Sequence, residues 1–139
     1  MRTLILLRHA AAEARETWAG PDRLRPLDAR GRMQAERLVP LLADLRPDAI
    51  VTSPYVRCVQ TVAPLAVALG FDVTEDERLA TGAPLDDVLR LLREARSGVF
   101  CTHADVTDAV AARPLKKGAA AYLEPRSLRP LGTVRAIVS

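Results

Sequence analysis

Thr3-Leu4-Ile5-Leu6-Leu7-Arg8-His9 is the stretch on which the reading of the whole chain turns. Its apolar part runs without alternation, the pattern of a strand covered on both faces inside a parallel sheet. Arg8 and His9 then stand at the C-terminal end of that strand. Val99-Phe100-Cys101-Thr102-His103 repeats the arrangement further along. The chain has two histidines, and each directly follows a predicted buried strand.

The segments between these strands alternate in type. Ala10 to Leu27 has no apolar period and contains the turn signal Gly20-Pro21-Asp22, so a long loop is expected, of the kind that carries function. Asp28 is a plausible N-cap for a helix running to about Leu45, with Met33, Leu38, Leu41, Leu42 and Leu45 at helical spacing and a kink near Pro40. Ala49-Ile50-Val51 reads as a second strand. Ser53-Pro54 then supplies a cap and a first-turn proline for a helix that closes at Gly70 and that Pro64 should bend or cut short. A third strand is expected over Phe71 to Thr74. Leu85, Val88, Leu89, Leu91 and Leu92 form the apolar face of another helix, ended by Ser97-Gly98. Two further strands are expected at Ala119 to Glu124 and Thr133 to Val138. Such alternation predicts a three-layer α/β/α fold with a mostly parallel central sheet, whose ligands bind beyond the carboxyl ends of the strands.

The 139 residues suit one domain over 1–139, and 49% hydrophobic composition is enough for a core. No long apolar run is present, and the first strand leads straight into Arg8-His9 instead of a signal-peptide cleavage site, so a soluble cytoplasmic protein without membrane contact is expected. Cys58 and Cys101 form no C-x-x-C framework and are expected to be reduced, as packing residues or neighbours of the site. The net charge is +3 and the pI about 9.3. The arginines are scattered, the lysines are Lys116 and Lys117, and aromatics make up only 4%. That pattern argues against a nucleic-acid surface and suits a small anionic substrate.

A neutral imidazole is a competent phosphoryl acceptor, and neighbouring arginines lower its pKa and keep it nucleophilic. Arg8 and Arg57 are the candidates for that role, since arginine offers a planar fork to the equatorial oxygens of a transferred phosphoryl group.

Arg8-His9-Ala10, Leu27-x-x-x-Gly31-x-x-Gln34-Ala35, Ser53-Pro54-x-x-Arg57-x-x-Gln60-Thr61 and Thr102-His103 occur in this order, and together they resemble the ordered motifs of the histidine phosphatase, or phosphoglycerate mutase-like, superfamily. The resemblance extends to about residue 110. Arg8-His9-Ala10-Ala11-Ala12-Glu13 and Leu24-Arg25-Pro26-Leu27 look most like the small SixA-type phosphohistidine phosphatases, and are also similar to phosphatase domains fused after Nudix hydrolases. The resemblance implies His9 as nucleophile and Arg8, Arg57 and His103 as the phosphate pocket. It implies no metal and no organic cofactor, and a phosphohistidine protein or a phosphorylated small molecule as substrate. Arg25 is a weak candidate for a substrate contact, with a surface role expected.

Two positions depart from the family pattern. Larger members place an acidic proton donor two residues after a leucine that follows the third strand, whereas here Leu79 is followed by Ala80 and Thr81. Ala104 follows His103 where glycine is frequent. Without a general acid, an alkoxide leaves with difficulty, and a less basic leaving group is favoured. Glu77 and Asp86 are candidate substitute donors. Ser53 reads as a helix cap, and Trp18 as a cover for the pocket or a surface patch. A zinc site of His9, Cys58, Cys101 and His103 is a minor alternative whose spacings match no finger pattern. In function, a non-catalytic phosphate-binding module is the alternative to a phosphatase, and a mutase ranks last.

Overall fold

The computed structural model describes residues 3–138. Strands β1 (Leu4–Arg8), β2 (Ile50–Thr52), β3 (Val73–Glu75), β4 (Gly98–Thr102), β5 (Ala119–Leu123) and β6 (Pro130–Arg135) form a single sheet in the order β3-β2-β4-β1-β5-β6. The first four are parallel, β5 pairs antiparallel with β1, and β6 pairs antiparallel with β5. Helices α1 (Ala29–Ala43), α2 (Val56–Leu69), α3 (Leu85–Ala95) and α4 (Ala104–Ala111) complete the layers. The predicted α/β fold with a mostly parallel sheet is the one observed.

The unbroken apolar character of β1 follows from its place in the middle of the sheet. Leu4 and Leu6 point into one core with Val88, Leu92 and Val106 from α3 and α4. Ile5 and Leu7 point to the opposite core with Leu38, Leu42, Val62 and Leu65 from α1 and α2. Each face of the strand is thus covered by a helix pair, and no position can be polar without leaving a buried group unpaired.

Several local readings shift. Asp28 caps α1, its side chain accepting the Gly31 N–H at 2.7 Å. Met33 and Leu41 are exposed, and the buried face of α1 is Gly31, Gln34, Ala35, Leu38 and Leu42. Leu85 of α3 is likewise exposed. Both α1 and α2 continue through their prolines, Pro40 and Pro64. The α2 helix begins later than Ser53-Pro54 suggests, at Val56, with no side-chain cap on Tyr55. It ends, as expected, at Gly70, which adopts the left-handed conformation at φ 70°. β3 is displaced to Val73–Glu75, and the last strand covers Pro130–Arg135 in place of Thr133 to Val138. The short helix α4 has no counterpart in the sequence reading.

Residues 9–28 form a loop that folds back on itself. The Glu13 N–H donates to the Pro26 carbonyl at 2.9 Å, and the Asp28 N–H donates to that of Ala11 at 3.1 Å. Asp22–Leu24 makes one 3-10 turn within it. No described helix is long and apolar enough to cross a membrane.

Candidate active site

β1 and β4 are adjacent and parallel, with Arg8 opposite Thr102 in the register. The next residues, His9 and His103, therefore leave the same sheet edge side by side, and the His9 N–H donates to the Thr102 carbonyl at 3.1 Å. Their rings meet edge to face with centroids 5.5 Å apart. Arg57, in the first turn of α2, is only 2% exposed and places Nη2 3.5 Å from His103 Nδ1. Arg8, Arg57 and both histidines line one cleft of about 560 Å³, together with Arg25.

The His9 ring has a defined tautomer. Nδ1 lies 2.8 Å from the Ala10 carbonyl oxygen, which can only accept, so Nδ1 carries the proton and Nε2 keeps its lone pair. Its pKa falls from 6.5 to about 3. Burial is the largest cause, the Ala10 carbonyl opposes it, and repulsion from His103, Arg57 and Arg8 adds to it. The arginines thus act in the predicted direction, but desolvation has the larger effect.

The two arginines are held so that donors remain free. Arg8 Nη1 donates to the Leu115 carbonyl at 2.7 Å. Arg57 Nη1 donates to the Asp22 carbonyl at 2.9 Å, and its Nη2 pairs with Asp22 Oδ2 at 3.1 Å. The Nε groups of both Arg8 and Arg57 are buried with no hydrogen-bond partner among the described residues. Two orphaned cationic donors beside a neutral imidazole call for an anion with several acceptor oxygens.

Ser53 is not the cap of α2, which begins after Tyr55. Its Oγ lies 2.9 Å from His103 Nε2 and also accepts the Tyr55 N–H at 3.3 Å. Tyr55 stacks edge-on against His103 at 4.8 Å, and the Arg57 guanidinium lies over its ring at 4.9 Å. Cys58 is buried with Sγ 3.6 Å from His103 Nε2, and both cysteines are free.

The loop at residues 9–28 is docked by polar side chains that the sequence reading gave no role. The Ala10 N–H donates to Thr61 Oγ1, that of Ala11 to Gln34 Oε1 and that of Leu27 to Gln60 Oε1, at 2.8–3.0 Å. Each satisfies a backbone donor that the loop would otherwise bury unpaired. Gly31 lets Ala11 come close, since a Cβ there would lie 1.8 Å from the Ala11 oxygen.

Other expectations are corrected. Arg25 is not a surface residue, being 8% exposed, and its Nε pairs with Asp22 Oδ1 at 2.9 Å. Glu77 is exposed and pairs with Arg23, and Asp86 sits on α3 beside a different surface hollow, so neither lines the cleft. The acidic residues that do line it are Glu13, Glu16 and Asp105. Asp105 was overlooked because α4 was. Its carboxylate accepts Thr81 Oγ1–H at 3.1 Å and the Gly82 N–H at 2.7 Å, closing the turn after Leu79. Trp18 does not line the cleft, and its Nε1 donates to the Pro21 carbonyl at 2.9 Å. Among the described residues no three His, Cys, Asp or Glu side chains are grouped to hold a metal ion, so the alternative zinc site lacks a donor set.

The sequence profile of the histidine phosphatase superfamily, branch 1, matches residues 4–81. An 8-oxo-(d)GTP phosphatase of Mycolicibacterium smegmatis is 44% identical over 76% of this chain. The matched region is 35% of that relative, so the chain spans about a third of its length. Among solved structures, a SixA protein of Agrobacterium tumefaciens superposes with a TM-score of 0.74 at 25% identity, covering 95% of this chain and 97% of its own. A SixA protein of Nakamurella multipartita gives 0.77 at 21% identity over 99% and 97%, a likeness of fold.

Proposed function

The chain belongs to the histidine phosphatase superfamily, branch 1, and on that footing we propose that it is a metal-independent phosphatase in which His9 Nε2 takes the phosphoryl group before water removes it. The observation that carries the proposal is the state of His9: neutral, with Nδ1 tied to the Ala10 carbonyl and Nε2 free beside the unpartnered donors of Arg8 and Arg57. In this reading Arg8, Arg57 and His103 bind the equatorial oxygens and stabilise the charge on the transferred group.

The substrate is one whose leaving group departs without a strong acid. Thr81 stands where larger relatives carry a carboxyl, and its hydroxyl is engaged by Asp105. A phosphoramidate, such as the phosphohistidine named for the SixA proteins, meets that condition. So does an anhydride, such as the triphosphate named for the mycobacterial relative.

The test is hydrolysis of p-nitrophenyl phosphate and of a phosphohistidine peptide by wild type and His9→Ala, with EDTA present throughout. Wild-type turnover should survive chelation and fall by about 1000-fold or more in the variant. Substantial residual turnover in His9→Ala contradicts the mechanism. Phosphate binding without turnover by wild type favours the non-catalytic module instead.

A further inference from the structure

Beyond the transferred phosphoryl group, we infer that Arg25 forms a second anion subsite, one that holds a phosphate joined to that group by an anhydride bond. This inference rests on the proposed function and narrows its substrate to compounds with tandem phosphates.

Arg25 is positioned as a binding group is. Its side chain is only 10% exposed, yet it lines the cleft. Nε pairs with Asp22 Oδ1 at 2.9 Å and Nη1 donates to the Glu13 carbonyl at 2.6 Å. The other oxygen of the same Asp22 carboxylate holds Arg57. One carboxylate therefore fixes two guanidinium groups side by side, the inner at the phosphoryl site and the outer next to it. Two cations share a single negative charge, and the pair retains a net positive charge that a second anion would neutralise. Nη2 of Arg25 makes no hydrogen bond among the described residues and remains for a ligand. Arg15 and Lys117, both exposed and without an ion pair among the described residues, extend the positive lining outward.

The missing general acid gives this charge a chemical use. His9 Nε2 attacks the terminal phosphorus, the N–P bond forms and the bond from phosphorus to the bridging oxygen breaks. The bonding electron pair stays on that oxygen, which becomes part of the departing phosphate. No proton is needed if a cation stabilises the new charge, and Arg25 stands where that phosphate would lie. Water then attacks the phosphohistidine. Its hydroxyl goes to phosphorus, its proton goes to the released orthophosphate, and the electron pair returns to Nε2.

The experiment compares wild type, Arg25→Gln, Arg25→Lys and Lys117→Met on p-nitrophenyl phosphate, inorganic tripolyphosphate and a nucleoside triphosphate, with EDTA present. Removing a charge-assisted contact should lower kcat/KM on tripolyphosphate by about 10- to 100-fold in Arg25→Gln and by a clearly smaller factor on p-nitrophenyl phosphate. Arg25→Lys should recover part of the loss, and Lys117→Met should show the same bias more weakly. The relative kcat/KM of the two polyphosphates tells which source of tandem phosphates the cleft favours. Equal losses on all substrates would make Arg25 a structural staple of the loop and overturn the subsite, as would no loss on tripolyphosphate. Calorimetry keeps this separate from the phosphatase reading. Even without turnover, imidodiphosphate should bind wild type more tightly than orthophosphate does, and Arg25→Gln should abolish the difference. Equal binding of the two by wild type contradicts the subsite.

Discussion

His9 is held in its neutral form chiefly by desolvation, and this has consequences in acid. Its pKa lies near 3 in the folded protein against 6.5 for the free side chain. Between those values the unfolded chain binds a proton that the native state refuses, so this contribution to stability is complete above about pH 6.5 and is lost as pH falls toward 3. Replacing His9 by Gln should therefore flatten the acid side of the stability profile, read as urea midpoints at about pH 4.5 and about pH 7.5. An unchanged difference between the two midpoints contradicts the buried neutral imidazole. His9 and His103 were legible as a pair because each follows an apolar strand at the edge where α/β ligands bind. Their supports were not. Ser53 beside His103, and Asp22 beside Arg57, are contacts between segments far apart in sequence. No local pattern encodes them, and a buried arginine such as Arg25 looks like a solvated one until its carboxylate is placed.

Among the elements, α1 and α2 act as a cradle for the loop at residues 9–28. Gln34, Gln60 and Thr61 occupy helix faces turned toward the loop and accept its backbone donors. Gly31 belongs to the same surface. A methyl group there would meet the Ala11 oxygen at 1.8 Å, and the obstacle is backbone that cannot rotate away. Gly31→Ala should cost about 1–3 kcal/mol in urea unfolding and also lower kcat/KM, since Ala11 lies two residues from His9, the proposed nucleophile. A variant with unchanged stability would mean that the loop and helix separate at little cost. Element boundaries were less legible than element types. Leu41 and Met33 fit a helical period but fall on the outer side of α1, because the inner face is made partly of Gly31 and Gln34 for docking the loop. The eight-residue α4 carries too few large apolar residues to announce itself. β6 alternates half-buried and exposed positions at the sheet edge, which weakens its signal against the unbroken runs of β1 and β4.

For the molecule as a whole, the sheet order brings the ends of β1 and β4 together at its centre and leaves the arginines to converge from the loop and α2. The mostly parallel architecture followed from strand–helix alternation alone. The antiparallel pair β5–β6 did not, since strand direction after a short connection depends on pairing and not on composition. The net charge of +3 is modest, but among the described residues five cations line the candidate cleft against three carboxylates, so the local field is more positive than the composition suggests. The central claim is that this field serves a phosphoryl group carried on His9. Its most direct test is to mix the EDTA-treated protein with substrate labelled in the transferred phosphate, quench in alkali, and locate the label by peptide mapping. The account predicts a label on His9 that is stable in alkali, lost in acid and absent from His9→Ala. Steady turnover with no such label, or with the label on another residue, would contradict it.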